Sequence, residues 1–244
     1  MNLRSSVLLL AVAAPAILLA QAQSFDFYAC NIALLQDRGV QGEIGVTEAQ
    51  RKNLNQHADW YNGETAKLQN QGKSVKTQAE GQALSKKLQS LILQMKEKCL
   101  KSLTAGQTKR LRELSLQLEA PAVLLDEKVA KQVGISADQL KKMRTTYEAN
   151  ANKAKKLQEA TFRPIMTKYD GLAKKAEKLD KAKKEAELKR LREAMDKEMK
   201  AAGAKIQPQV IKLGADTRGG LLKALTPAQK SAYDKLLGKA YKFQ

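Results

Sequence analysis

The chain has 244 residues, 44 Lys and Arg against 25 Asp and Glu, and a formal net charge of +19. Aromatic residues make up only 5%, and no run alternates apolar and polar side chains at period two, which speaks against strands and against a deep aromatic core. His57 is the single histidine, which excludes a metal site built on a histidine cluster and leaves any Ser-His-Asp or Cys-His arrangement to that one residue.

Residues 1–22, MNLRSSVLLLAVAAPAILLAQA, read as a cleavable signal peptide. Arg4 supplies the positive start, Val7 to Ala20 the apolar run, and Ala20-Gln21-Ala22 the small-x-small cleavage form. The run is shorter than the ~20 residues a spanning helix needs. The expected location is periplasmic or secreted. Export makes nucleic acid a poor partner for the positive charge; acidic segments of unfolded proteins and anionic envelope surfaces suit it better. Cys30 and Cys99 then form a candidate disulfide, worth roughly 4 kcal/mol in the chain-entropy model, with two separately buried thiols as the alternative.

One phrase recurs along the chain: VTEAQ (46–50), LTAGQ (103–107), ISADQ (135–139) and LTPAQ (225–229). Each reads as a helix start. Thr47, Thr104, Ser136 and Thr226 suit the N-cap, and Gln50, Gln107, Gln139 and Gln229 fall three residues later, where an amide completes a capping box. Pro227 suits the first helical position, and Gly45 and Gly134 suit a left-handed helix end. The aliphatic before each cap is placed for a hydrophobic staple, with Leu140 as the apolar partner of Ile135. The phrase is therefore a joint between a short helix and a long one, and it marks no ligand.

The joints alternate in type, and ALLQDRGVQGEIGVT (33–47) matches AVLLDEKVAKQVGIS (122–136). This predicts two related modules, 23–120 and 121–244. The expected class is all-α: two tandem helical-hairpin modules with long antiparallel helices and short capped connecting helices. In the first module a helix from Thr47 to about residue 69 turns near Gly72, and a second returns with Leu84, Leu88, Leu91, Met95 and Cys99 at helical spacing. In the second, the outgoing helix is expected to end before Pro164. The return helix is expected over 165–202, broken by Gly203 and Pro208, with a loop over 213–220 before the last capped helix.

Lys174, Lys175, Lys178, Lys181, Arg190 and Arg192 fall beside an apolar stripe of Leu188, Leu191, Met195 and Met199. Two readings are open: a solvated helix held by its own charge pairs, or a basic and apolar surface that holds flexible anionic chains. The sequence carries no catalytic, cofactor-binding or metal-ligating constellation, so no enzyme and no cofactor are expected. Trp60 and Tyr61 read as hairpin packing and His57 as a surface residue.

The exported, basic, helical chain with LTAGQ (103–107) and LTPAQ (225–229) resembles the LTxxQ-motif family of bacterial periplasmic proteins (Spy/CpxP-like). The resemblance implies long helical hairpins and either ATP-independent chaperone activity toward unfolded or misassembled envelope proteins or an adaptor role with an envelope-stress sensor. Binding to envelope polysaccharide or the membrane surface is a further alternative. The family's usual single motif pair is doubled here, and its histidine-rich segments are missing. The oligomeric state is not specified by the sequence.

Overall fold

Among residues 24–243, which the computed structural model describes, every regular element is helical, so the chain is all-α. The expected signal peptide lies outside the described residues. In chain order the α-helices are α1 (Phe25–Ala29), α2 (Arg38–Glu43), α3 (Glu48–Gly72), α4 (Gln78–Lys101), α5 (Ala105–Glu119), α6 (Glu127–Val133), α7 (Ala137–Ala176), α8 (Lys181–Lys223) and α9 (Pro227–Leu237). Short 3-10 turns at Ile32–Gln36 and Ala122–Leu125 precede α2 and α6. The helices gather into two compact units. One holds residues 24–29 with Glu48–Leu103; the other holds Cys30–Thr47 with residues 104–243.

In the first unit α3 and α4 pair antiparallel, and the Gln50 amide near the start of α3 donates to Ser102 O just past the end of α4 (2.9 Å). Leu54, Leu91 and Cys99 are buried in this pair, whereas Leu88 of the expected stripe is exposed. The turn between the helices ends in a cap that the repeated phrase does not announce. Thr77 Oγ1 accepts from Glu80 N, and Glu80 reaches back to Thr77 N (3.0 Å). These bonds hold the Glu80 carboxyl below its ordinary pKa. α1 lies along α4, with the Lys96 ammonium 5.3 Å from the Phe27 ring centre and bonded to Tyr28 O. Trp60 packs under Lys98 at 4.9 Å. His57 is half-buried and sits 3.1 Å from Ser102 Oγ, so it is no simple surface residue.

In the second unit α5 is the hub. Leu111, Leu114 and Leu116 are buried along it, as are Glu113 and Ser115. Val40, Leu124, Val129, Leu221 and Tyr233 bury their side chains in the same unit. Segments 33–47 and 122–136, matched by sequence, also match element for element. Each is a 3-10 turn, then an aspartate cap (Asp37 to Val40 N, Asp126 to Val129 N, both 3.0 Å), then a short helix ending at a left-handed glycine. Gly45 and Gly134 have φ of 68° and 78°. The aliphatic that follows also closes the short helix before it. Val46 N–H reaches back to Gln41 O and Ile135 N–H to Ala130 O, both at 2.9 Å, and both side chains are buried. That is the six-to-one bond of a Schellman end, whose apolar residue seals the helix it follows.

The expectation that a helix ends before Pro164 is wrong, as are the break at Gly203 and Pro208 and the loop over 213–220. α7 runs through Pro164, and α8 runs through Gly203, Pro208, Gly214 and Gly219. A proline inside a helix costs ~3 kcal/mol and a glycine up to ~1. The continuous helices, however, put Ile165, Tyr169 and Ala176 of α7 against Leu191 of α8, with Leu172, Leu188, Met195, Met199 and Ala202 packed around them. Burying one such large side chain contributes ~1.5–3 kcal/mol, so the seam outweighs the local cost. Three cross-helix bonds fix an antiparallel register: Gln139 to Ala224 O (2.6 Å), Asn150 to Thr217 Oγ1 (3.1 Å) and Lys168 to Glu198 (2.7 Å). The turn of this hairpin is therefore Glu177–Asp180, not the neighbourhood of Pro164.

Candidate functional site

The joints place the long helices. At Thr104 and Thr226 the capping box is complete, with each hydroxyl accepting from the Gln N–H and each Gln Oε1 accepting from the Thr N–H. Ser136 caps Gln139 N, but the Gln139 side chain turns elsewhere. Thr47 directly precedes α3. The four amides share a second task that spacing does not reveal. Gln107 donates to Gly45 O (2.7 Å) and Gln229 to Gly134 O (2.8 Å). Gln50 donates to Ser102 O and Gln139 to Ala224 O. Each acceptor lies two residues before the cap of another copy of the phrase. In the second unit Gln139 and Gln229 also bond each other reciprocally, amide to amide, at 2.8 and 2.9 Å. Both hydrogens and both lone pairs of Gln229 are thereby used. Arg144 adds a clamp at the same end of the hairpin, reaching Leu125 O at 2.8 Å and Glu127 at 3.2 Å.

The residues expected to form a basic and apolar surface split in two. Leu188, Leu191, Met195 and Met199 belong to the α7–α8 seam and are no free stripe. The cations are exposed, but they do not share one helix. Lys174 and Lys175 close α7, Lys178 lies in the turn, Lys181 opens α8, and Arg190 and Arg192 follow further along it. The predicted returning helix is thus a hairpin tip. Its charges are partly neutralised: Lys174 pairs with Asp170 (2.8 Å), Arg190 with Glu187 (2.7 Å), and Lys184 with Glu177. The bond to Asp170 raises the pKa of Lys174.

Free apolar surface appears where the sequence did not point. Met166 on α7 and Ile211 on α8 are 60% and 58% exposed, and Leu179 is exposed at the tip. Phe162 and Met166 line an open cleft on α7 together with Gln158, Glu159, Arg163 and Asp170. Gly203 of α8 faces the Phe162 ring, which a methyl at that position would touch at an ordinary contact distance of 3.8 Å.

A second cluster is made of residues that the sequence reading did not single out. Arg110 on α5 bonds Glu43 (2.6 and 2.9 Å), Glu113 (2.9 Å) and Lys239 O (2.8 Å). Partial burial works against its charge, but the bonds to Glu113 and Glu43 outweigh this and hold the guanidinium above its ordinary pKa. Only Glu113 could have been flagged, as an acid inside the Leu-rich helix RLRELSLQLE.

Cys30 and Cys99 are both buried. Cys30 Sγ lies 3.5 Å from Thr108 O and Cys99 Sγ 3.9 Å from Met95 Sδ. Burial pushes the Cys99 thiol up to about 11. Among the described residues no group of three His, Cys, Asp or Glu is placed to hold a metal ion, and no helix is long and apolar enough to cross a membrane. Compared with known proteins, the chain matches no family model, no curated protein and no solved structure.

Proposed function

We propose that this is an exported, non-enzymatic protein of the LTxxQ type, built as two tandem helical-hairpin modules, that holds unfolded or misassembled envelope proteins without ATP. The observation that carries the reading is the apolar surface left exposed on the α7–α8 hairpin. Met166 on α7, Ile211 on α8 and Leu179 in the turn all stand exposed on a chain of net charge +19. Scattered apolar contacts of this size bind weakly, and a client chain that touches several of them adds their effects. The cations supply long-range attraction to acidic segments, which salt screens beyond ~10 Å at 0.1 M. The mechanism differs in one respect from the stripe read in the sequence: Phe162, Met166 and Ile211 supply the apolar contacts, because Leu188, Leu191, Met195 and Met199 are spent on the seam.

The test is light scattering from a chemically unfolded acidic client, with the chain from Gln23 present, without ATP, across a salt series. Suppression of aggregation that fades with salt is expected, and Met166→Ser with Ile211→Ser should weaken it without changing the melting temperature. No suppression at any salt by the folded protein sinks the reading and leaves the sensor-adaptor and envelope-surface roles.

A further inference from the structure

The segment after α9 leaves helical geometry, with a bend at Lys239, and it is held by side chains that read its backbone. Gln117 Nε2 donates to Leu237 O and Lys239 O, both at 2.7 Å, and Gln117 Oε1 accepts from Tyr241 N–H at 2.9 Å. Arg110 adds a second bond to Lys239 O (2.8 Å). Lys239 C=O and Tyr241 N–H flank Ala240 and are the two groups that a neighbouring parallel strand would engage. The Gln117 amide therefore imitates a strand edge, as in modes of recognition that add an extended peptide to a sheet. Main-chain groups are common to any extended segment, so they supply affinity but no choice of sequence.

Two positions supply the choice. Gly238 has φ of 66° and ψ of −155°, a region open in practice to glycine alone. A methyl at 238 would also run into the Glu113 carboxylate. Three residues on, the Tyr241 hydroxyl reaches α2 beside Gly39, where a methyl would lie 2.8 Å from it. Tyr241 and Phe243 stack edge to face at 5.0 Å. Glu113, buried at a hub position of α5, is oriented by Arg110, which Glu43 fixes from the other side.

We propose that the α2–α5 surface lined by Arg110, Glu113 and Gln117 is a binding groove for a Gly-x-x-Tyr peptide segment of another polypeptide, and that residues 238–243 occupy it as a displaceable latch. Being covalently attached, the latch acts at an effective concentration on the order of millimolar, so a competing segment binds only when it is abundant or when the latch is drawn off. The proposal stands apart from the client-holding reading, since it concerns α2 and α5 and not the hairpin.

The test uses a chain ending at Leu237 and the fluorescein-labelled peptide of residues 237–243, LGKAYKF, followed by anisotropy. Saturable binding to the shortened chain is expected, at least tenfold weaker binding to the full chain, and at least a tenfold loss when Gln117→Leu is added to the shortened chain. A peptide with Gly238→Ala should also bind at least tenfold more weakly. Should the shortened chain lack its helical circular dichroism, the full-length Gly238→Ala variant serves instead, because its methyl expels the latch without removing residues. A folded shortened or Gly238→Ala chain that shows no saturable binding up to millimolar peptide overturns the proposal. So does equal binding to the full chain or to the Gln117→Leu variant, which would make the segment a fixed part of the fold. The light-scattering assay uses none of these variants, so either reading can fail alone.

Discussion

Replacing Gln139 and Gln229 by alanine, singly and together, tests whether the joints are braced as the distances say. Gln229 makes bonds to Gly134 O (2.8 Å) and Thr226 N (3.0 Å), and shares two with Gln139 (2.8 and 2.9 Å). A net hydrogen bond at a half-buried site contributes about 0.5–1.5 kcal/mol, and water re-bonds part of what is freed, so Gln229→Ala should cost about 2–3 kcal/mol. Gln139→Ala removes the bond to Ala224 O and the same two shared bonds, and should cost about 2 kcal/mol. Because the shared bonds can be lost only once, the double variant should lose about 1–2 kcal/mol less than the two singles added together. Urea unfolding followed by far-ultraviolet circular dichroism measures all four corners of the cycle. Gln139→Ala combined with Gln117→Ala is the control; the two share no partner and should add to within about 0.5 kcal/mol. Additivity of the same quality for Gln139 and Gln229 would refute the reciprocal amide pair and leave only two independent braces.

Burial, aided by Lys98, holds the pKa of His57 below its ordinary value. The unfolded chain then takes up a proton at about pH 6.5 that the folded chain resists, so stability should fall as pH drops from there through the folded pKa. His57→Gln should flatten that part of a melting-temperature profile, and an unaltered slope would reject the assignment. The Cys99 thiol, pushed up to about 11, should react with a disulfide reagent at about pH 8 far more slowly in the native chain than in urea, and equal rates would contradict its burial. The buried Tyr233 hydroxyl has no hydrogen-bond partner among the described residues, so Tyr233→Phe should leave stability unchanged or raise it by up to about 1 kcal/mol. A loss larger than that would mean that the hydroxyl is bonded after all.

The all-helical class and the helix starts at Thr104, Ser136 and Thr226 were legible because a cap is a local bargain among four consecutive residues. The second role of the same glutamines was not legible. Gln107 finds Gly45 O, and Gln229 finds Gly134 O, only after a long hairpin has brought distant joints together. The hairpin turn was misplaced for the converse reason. Pro164 and Gly203 argue locally for breaks, and what overrides them, the row from Ile165 to Ala176 lying on Leu188 to Ala202, exists only when both helices are whole. That error carried over to the basic surface, which joined residues on two sides of a turn into one helix. The groove on α5 was hidden by distance as well, since Arg110 meets Glu43 from one direction and Lys239 from the other.

The α7–α8 hairpin is held at one end by the amide pair and by Arg144, and its lysine-rich tip lies at the other. A helix as long as α7, at 1.5 Å per residue, makes an arm of about 60 Å. One degree of tilt at the base then carries the tip by about 1 Å, and five degrees by about 5 Å, the distance of a full helical turn. A tilt at the two glutamine side chains too small to see in the joint would thus be magnified into a displacement the size of a side chain where Lys178 and Leu179 meet their surroundings.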